Sequence, residues 1–298
     1  MVVGLSPRIR HATRAVPLAG GRYVVIVRAE RSWYGPHRVI FKGDSRFYGR
    51  TSNGKYELDV TDLRNAFLFA NIVSEKIAAF RSERIIALEN GRSLVPLAQG
   101  PKLAIHCMAL DSFGAKPQYD VLSLRGIQPM YAARLGGWVD RINLEGQIFI
   151  ATGEPPSAYT QIFRNGVIEA VRVGVLSSSQ RPGFIPSLAY GEAVVTYLPQ
   201  CFEIIKKLGC SAPVLVGISL IGVRNMKLEV DLEVALRMGG ASAIDRDVIM
   251  LPEIVVENLS TPADSLLKPT LDLVWNACGF RSSPYFDAAG SWRGRSAY

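Results

Sequence analysis

Apolar and polar positions follow two periods along this chain, and the changes of period mark its elements. Arg22-Tyr-Val-Val-Ile-Val-Arg28 is apolar at five consecutive positions. So short and uniform a run predicts a strand buried on both faces. Pro36-His37-Arg38-Val-Ile-Phe-Lys42 and Ser45-Arg-Phe-Tyr-Gly-Arg50 read as two strands joined through Gly43-Asp44. Gly-X between β-prone runs predicts a type II′ hairpin turn. In that register Lys42 faces Ser45, Ile40 faces Phe47 and Arg38 faces Gly49. On the other face Phe41 meets Arg46, Val39 meets Tyr48 and His37 meets Arg50.

The period then lengthens to three and four. Leu63, Ala66, Phe67, Ala70, Val73, Ile77, Phe80, Arg84 and Leu88 mark a helix, capped by Asp59 or Thr61, with Asp62 in its first turn. Asn90-Gly91 stops it. A helix of that length predicts a break near Val73–Ser74. Residues 92–101 read as a linker. Strands follow at Lys102–Leu110, Gly146–Thr152, Tyr159–Arg164, Val167–Val173, Val214–Val223 and Lys227–Leu236. Asn165-Gly166 turns one of them into a hairpin. Leu188–Leu208 is a helix carrying Pro199, and Pro262–Cys278 is a last helix ended by Gly279. Residues 111–145 and the tail Arg281–Tyr298 read as loops. The order predicts an α/β (α+β) fold: a small mixed-sheet unit over 1–68, a long helix and linker over 69–100, and a second mixed α+β domain over 101–298.

Composition narrows the function classes. Of 298 residues, 48% are hydrophobic and 20% charged, which is globular usage. No apolar run reaches the ~18–20 residues of a membrane span, and no secretory signal opens the chain. Four cysteines and three histidines are too scattered for a metal cage, so reduced thiols, no metal and a cytoplasmic setting are expected. Gly20-Gly21, Gly136-Gly137 and Gly239-Gly240 lack the spacing of phosphate-binding loops, and Ser177-Ser178-Ser179 lacks that of a nucleophile elbow, so no cofactor is expected.

Charge adds the functional direction. The net charge is +8, and residues 1–55 hold 11 basic and two acidic side chains. Residues 101–298 hold 18 of each sign. A basic first part beside a neutral second part points to a polyanionic partner. Arg8, Arg10 and Arg14 read as a basic arm, an Arg-rich organelle-targeting peptide or the tail of a domain whose front is missing.

Pro36-His37 ahead of a strand, Phe47-Tyr48-Gly49-Arg50, and Thr51-Ser52-Asn53-Gly54 together resemble the back half of the Schlafen AlbA-type domain, a bacterial α/β domain assigned to DNA binding. The resemblance covers roughly residues 5–68, with the remainder similar to an extension found in some members. It implies an AlbA-like unit that contacts nucleic acid. The front half of that domain, which ends in a Glu-Phe-Lys-like motif and carries the acids of an RNA-cleaving site, has no counterpart here. The reading is therefore an N-terminally incomplete domain that binds without cutting. An incomplete domain would expose a sheet edge or an apolar face, which favours self-association or an upstream segment.

The candidate nucleic-acid contacts are Arg31, His37, Arg38, Lys42, Arg46, Tyr48, Arg50 and Lys55. The cations would neutralise phosphates, with Trp33, Tyr34 and Tyr48 stacking on bases. His37 reads as a structural or phosphate-positioning histidine, with a general base the weaker alternative. His106 and Cys107, adjacent on an apolar strand, point to opposite faces and read as core. Glu229, Asp231 and Glu233 alternate with apolar residues, which puts three carboxylates on one strand face. That row reads as a solvated surface; the alternative is the metal site of a Schlafen-like ribonuclease. The remaining reading is a scaffold whose basic face meets an acidic protein. Nucleic acid is the expected partner and a membrane is not; a homo-oligomer, through the C-terminal part or the exposed N-terminal face, is the further option.

Overall fold

The structure, a computed structural model, describes residues 4–9, 11–29, 35–52, 54–114, 119–124, 137–231 and 242–294. It is a mixed α+β chain of two units, Met1–Lys76 and Ile77–Tyr298. The boundary falls inside a helix rather than at 68 or 100.

In the first unit, β1 (Leu5–Ser6), β4 (Arg38–Phe41), β5 (Asp44–Thr51) and β6 (Gly54–Glu57) form an antiparallel sheet in the order β1-β4-β5-β6. β2 (His11–Pro17) and β3 (Tyr23–Ala29) pair only with each other, as a two-stranded ribbon. Here one expectation fails. β3 is exposed along its whole length instead of buried on both faces, because among the described residues β2 is its sole partner.

A second expectation shifts. The hairpin turn is Lys42-Gly43, not Gly43-Asp44: both residues are left-handed, with φ of 50° and 86°, as a type I′ turn requires. Arg38 therefore opposes Phe47 and Ile40 opposes Ser45. Each partner moves by two residues, and since side chains alternate with period two, every residue still within the strands keeps its predicted face; Lys42 passes into the turn.

Helix α1 (Val60–Glu89) starts at Asp59. The Asp62 amide donates to Asp59 Oδ1 at 2.7 Å and the Asp59 amide to Asp62 Oδ2 at 3.4 Å, a reciprocal capping box. The helix passes through Val73 and Ser74 without the expected break. It ends where Gly91 turns left-handed and the Arg92 amide reaches back to the Ala87 carbonyl.

The second unit is built on one antiparallel sheet. Its strands are β7 (Lys102–Ala109), β8 (Trp138–Asn143), β9 (Gly146–Ala151), β10 (Ala158–Phe163) and β11 (Ile168–Val173), with β13 (Val214–Ile221), β15 (Val248–Met250) and β16 (Ile254–Val256). The order is β15-β13-β7-β11-β10-β9-β8, with β16 sharing the β13 edge. β12 (Phe184–Pro186) and β14 (Lys227–Glu229) form a separate parallel pair. β8 lies in the stretch expected to be loop, and Lys227–Leu236 contributes three strand residues rather than ten; residues 232–236 lie outside the described ones. Helices α2 (Ser187–Leu208), with Pro199 inside it, and α3 (Ala263–Ala277) pack with Leu103, Ile105, Cys107, Ile168 and Ile218 into the main core. Ile85 and Leu88 of α1 close the other face over Ala104, Ile148, Tyr159 and Val171.

Two arginines fix α1 to that face. Arg84 donates from Nε and Nη2 to the two Glu169 oxygens at 2.8 Å each. His106 Nε2 lies 2.9 Å and the Tyr159 hydroxyl 2.7 Å from the same carboxylate. Arg81, fully buried, donates to the carbonyls of Ile218 and Leu251 and to the Glu253 carboxylate. It lies flat on Gly217, where any Cβ would come within 2.6 Å of its Nε. Burial penalises the Glu169 charge, but hydrogen bonds from Arg84 and His106 outweigh it and hold its pKa at about 2, below the usual 4.5.

Arg84→Ala strands a buried carboxylate and is expected to cost about 3–5 kcal/mol, a fall of roughly 6–20 °C in Tm by calorimetry. In the wild type the folded pKa of Glu169 is depressed. Its contribution is therefore complete above pH 4.5 and drains away as pH falls toward 2, which acid titration of the melting temperature would follow.

Candidate nucleic-acid interface

Strand alternation sorts the predicted cations of the first unit onto two faces. Phe47 packs edge-on against Phe67 of α1, with ring centroids 6.4 Å apart, so its face is the helix side. Arg38, directly opposite Phe47, projects from that same side. Arg46, Tyr48 and Arg50 alternate onto the outer side, joined by Phe41 of β4 and by Lys55 and Glu57 of β6.

The outer side is not uniformly basic. Arg46 Nη1 donates to Glu57 Oε2 at 2.6 Å, and Asp44 lies 4.0 Å away. Both acids raise the Arg46 pKa further, its hydrogen bond to Glu57 most, and the Glu57 carboxylate offsets its charge. Glu57 can reach because it sits opposite Tyr48, one step along the ladder. Neither Glu57 nor the exposed ring of Phe41 was singled out in the sequence. The predicted register already put Phe41 opposite Arg46 on this face, and Asn53-Gly54, a hairpin turn signal, could have announced the strand that carries Glu57.

Arg50 and Lys55 differ from Arg46. They are directly opposite across the β5–β6 ladder. The Leu58 amide donates to the Phe47 carbonyl, which makes 47/58 a hydrogen-bonded pair and, by alternation, 50/55 a non-hydrogen-bonded one. In such pairs the Cα atoms are only about 4.5 Å apart and side chains are closest. Neither cation has an acidic partner among the described residues. Two rings lie beneath the lysines of this face: Lys55 Nζ is 5.0 Å from the Tyr48 centroid, and Lys42 Nζ is 5.5 Å from that of Phe41. Tyr48, Arg50 and Lys55 therefore lie together at one end of this face, while Phe41 and the Lys42 head group lie at the other end, beside Asp44.

The other predicted residues fall elsewhere. His37 Nδ1 donates to the Pro7 carbonyl at 2.6 Å, and its Nε2 is enclosed, so it ties down the chain beside β1 and offers nothing to a phosphate. Arg31, Trp33, Tyr34 and Glu233 lie outside the described residues. β14 ends at Glu229 and Asp231 follows it exposed, so the carboxylate row does not form on one strand. No cluster of three or more His, Cys, Asp or Glu suited to a metal exists among the described residues. Glu229 instead lines a cleft of about 300 Å³ with Arg172 and Ser177–Ser179. His106 and Cys107 are both buried, on opposite faces of β7 as expected. All four cysteines are free, and no helix among the described residues is long and apolar enough to cross a membrane.

Facing cations destabilise a ladder, so Lys55→Glu, which pairs Arg50 with an acid, is expected to stabilise the protein by about 0.2–1 kcal/mol. Thermal melts at low salt would show the gain, and high salt would erase it.

Neither a family model, nor a curated protein, nor a solved structure matches this chain, so its reading rests on the geometry of the sheet face.

Proposed function

We propose that the first unit binds the phosphate backbone of nucleic acid, without catalysis, through the outer face of its sheet. One observation carries the reading: Arg50 and Lys55 face each other at the closest cross-strand position, with no acidic partner among the described residues. A fold that keeps two cations in that arrangement is relieved by a bound polyanion. The rings support the same partner. Phe41 and Tyr48 lie exposed on the cationic face, the combination on which single-stranded bases stack while the backbone follows the charges. The likeness of Pro36-His37 and Phe47–Arg50 to the Schlafen AlbA-type domain points the same way. Four free thiols suit a cytoplasmic setting.

The footprint is narrower than charge counting implies: Lys42, Arg50 and Lys55 make phosphate contacts, Phe41 and Tyr48 stack, and Arg46 stays with Glu57. Fluorescence anisotropy with short single- and double-stranded DNA and RNA at two salt concentrations tests this. Arg50→Ala/Lys55→Ala is expected to weaken binding to every strand and to flatten the salt dependence by roughly 1.4–1.8 in log–log slope. Tyr48→Ala should cost single strands about 5- to 150-fold. Glu57→Gln, by releasing Arg46, should tighten binding and steepen the slope. His37→Ala should leave affinity unchanged in folded protein. Binding that polyglutamate displaces as readily as RNA would favour an acidic protein partner, and no binding at low salt would refute the reading.

A further inference from the structure

The ribbon β2–β3 is the least covered part of the first unit. Tyr23 is 66% exposed, Val25 61%, Ile26 52% and Val27 53%. A lone two-stranded hairpin is marginal in water, and stability comes with a third or fourth strand. We propose that β3 pairs with β3 of a second copy of this chain, antiparallel about a twofold axis at Ile26, making a four-stranded intermolecular sheet.

The backbone determines which edge is open and which residues it offers. The Leu18 amide donates to the Arg22 carbonyl at 2.8 Å, so 18/22 is a hydrogen-bonded pair. By alternation the pairs 16/24, 14/26 and 12/28 are also hydrogen-bonded. The amides and carbonyls of Tyr23, Val25, Val27 and Ala29 therefore point away from β2. The outer edge of β2 is blunted by Pro17, which has no amide hydrogen. The β3 edge has no such defence: from Tyr23 to Val27 it carries no charge, no proline and no glycine. Such a run requires a strand as its occupant, and the uncharged backbone row gives a polyanion nothing to hold.

Charge selects a copy of the same strand and its register. Outward residues must pair with outward residues, which leaves two near-central registers. With Val25 on the axis, Arg22 meets Arg28 of the other copy at both ends. With Ile26 on the axis, Val25 meets Val27, Tyr23 meets Ala29 and Arg28 meets Val24, and no cation faces a cation. The second register joins four hydrogen-bonded pairs and is self-complementary, as a twofold contact demands. One strand pair buries less than the roughly 1,200 Å² of a standard interface, so the association is reversible and concentration-dependent.

The register makes a sharp test. Ile26 meets itself across the axis as a non-hydrogen-bonded pair, with Cα atoms about 4.5 Å apart, within disulfide reach. The native cysteines are all buried. Under diamide, Ile26→Cys is expected to run as a covalent dimer on a non-reducing gel, while Val25→Cys, displaced from its own copy by two positions, stays monomeric. Val25→Pro removes an outward amide that β2 does not use. It should abolish the Ile26→Cys cross-link and weaken self-association by about tenfold or more in sedimentation equilibrium. A wild-type protein that stays monomeric up to about 200 μM would overturn the proposal. So would equal cross-linking of both cysteine variants, or a Val25→Pro protein that associates like wild type. These assays contain no nucleic acid, so their outcome is independent of the binding reading for the sheet face.

Discussion

One carboxylate sets the terms for the second unit. Glu169 is wholly buried in the middle of the sheet and remains ionised because Arg84, His106 and Tyr159 all converge on it. A buried charge left unpaired costs several kcal/mol, so each of these groups is constrained by the others. The consequence is that the second part of α1 belongs to the core. It is attached by two arginines three residues apart, Arg81 and Arg84, whose heads take up sheet carbonyls and carboxylates while Ile85 and Leu88 supply the apolar contact. Pairing of this kind specifies one seating of the helix. A purely apolar seam would tolerate sliding by a turn.

Much of this unit was legible because its strands are short apolar runs bounded by turn residues. β7, β9, β10, β11, β13, α2 and α3 lie within about two residues of their predicted limits, and Asn165-Gly166 forms the turn its residues require. What escaped lacks local signal. β8 is an edge strand with Asp140 and Arg141 at its centre, so it does not read as apolar or alternating. The buried role of Arg81 depends on Gly217, Ile218 and Leu251, more than 130 residues away, and no window of sequence holds that information.

The first unit shows the converse. Its apolar run Tyr23–Val27 has the sequence of a buried strand and the surroundings of an exposed one, because burial is a property of neighbours. Its turn was misplaced by one position because Lys42 adopts a positive φ that glycine normally supplies. The grouping of side chains on the sheet survived that error. A two-residue change of partner leaves the parity of every side chain intact, so Arg46, Tyr48 and Arg50 remain together on the outer side. Glu57, which disarms Arg46, could be found only once β6 was known to lie beside β5.

The two units therefore meet the burial requirement in different ways. The second has an extensive apolar core on both faces of its sheet. In the first, Val73 is the sole apolar side chain among the described residues to be fully buried. Its sheet face holds two cations in opposition and its ribbon holds five apolar side chains in water. Local choices that conflict with stability are expected where function intervenes, and both conflicts here are of a kind that binding resolves. A bound polyanion would screen Arg50 from Lys55, and a paired strand would saturate the β3 edge. Anything that binds the folded form alone adds to its stability as RT ln(1 + [L]/Kd). In a unit with so small an apolar core, a partner that met either surface would add to the stability of the fold through that term.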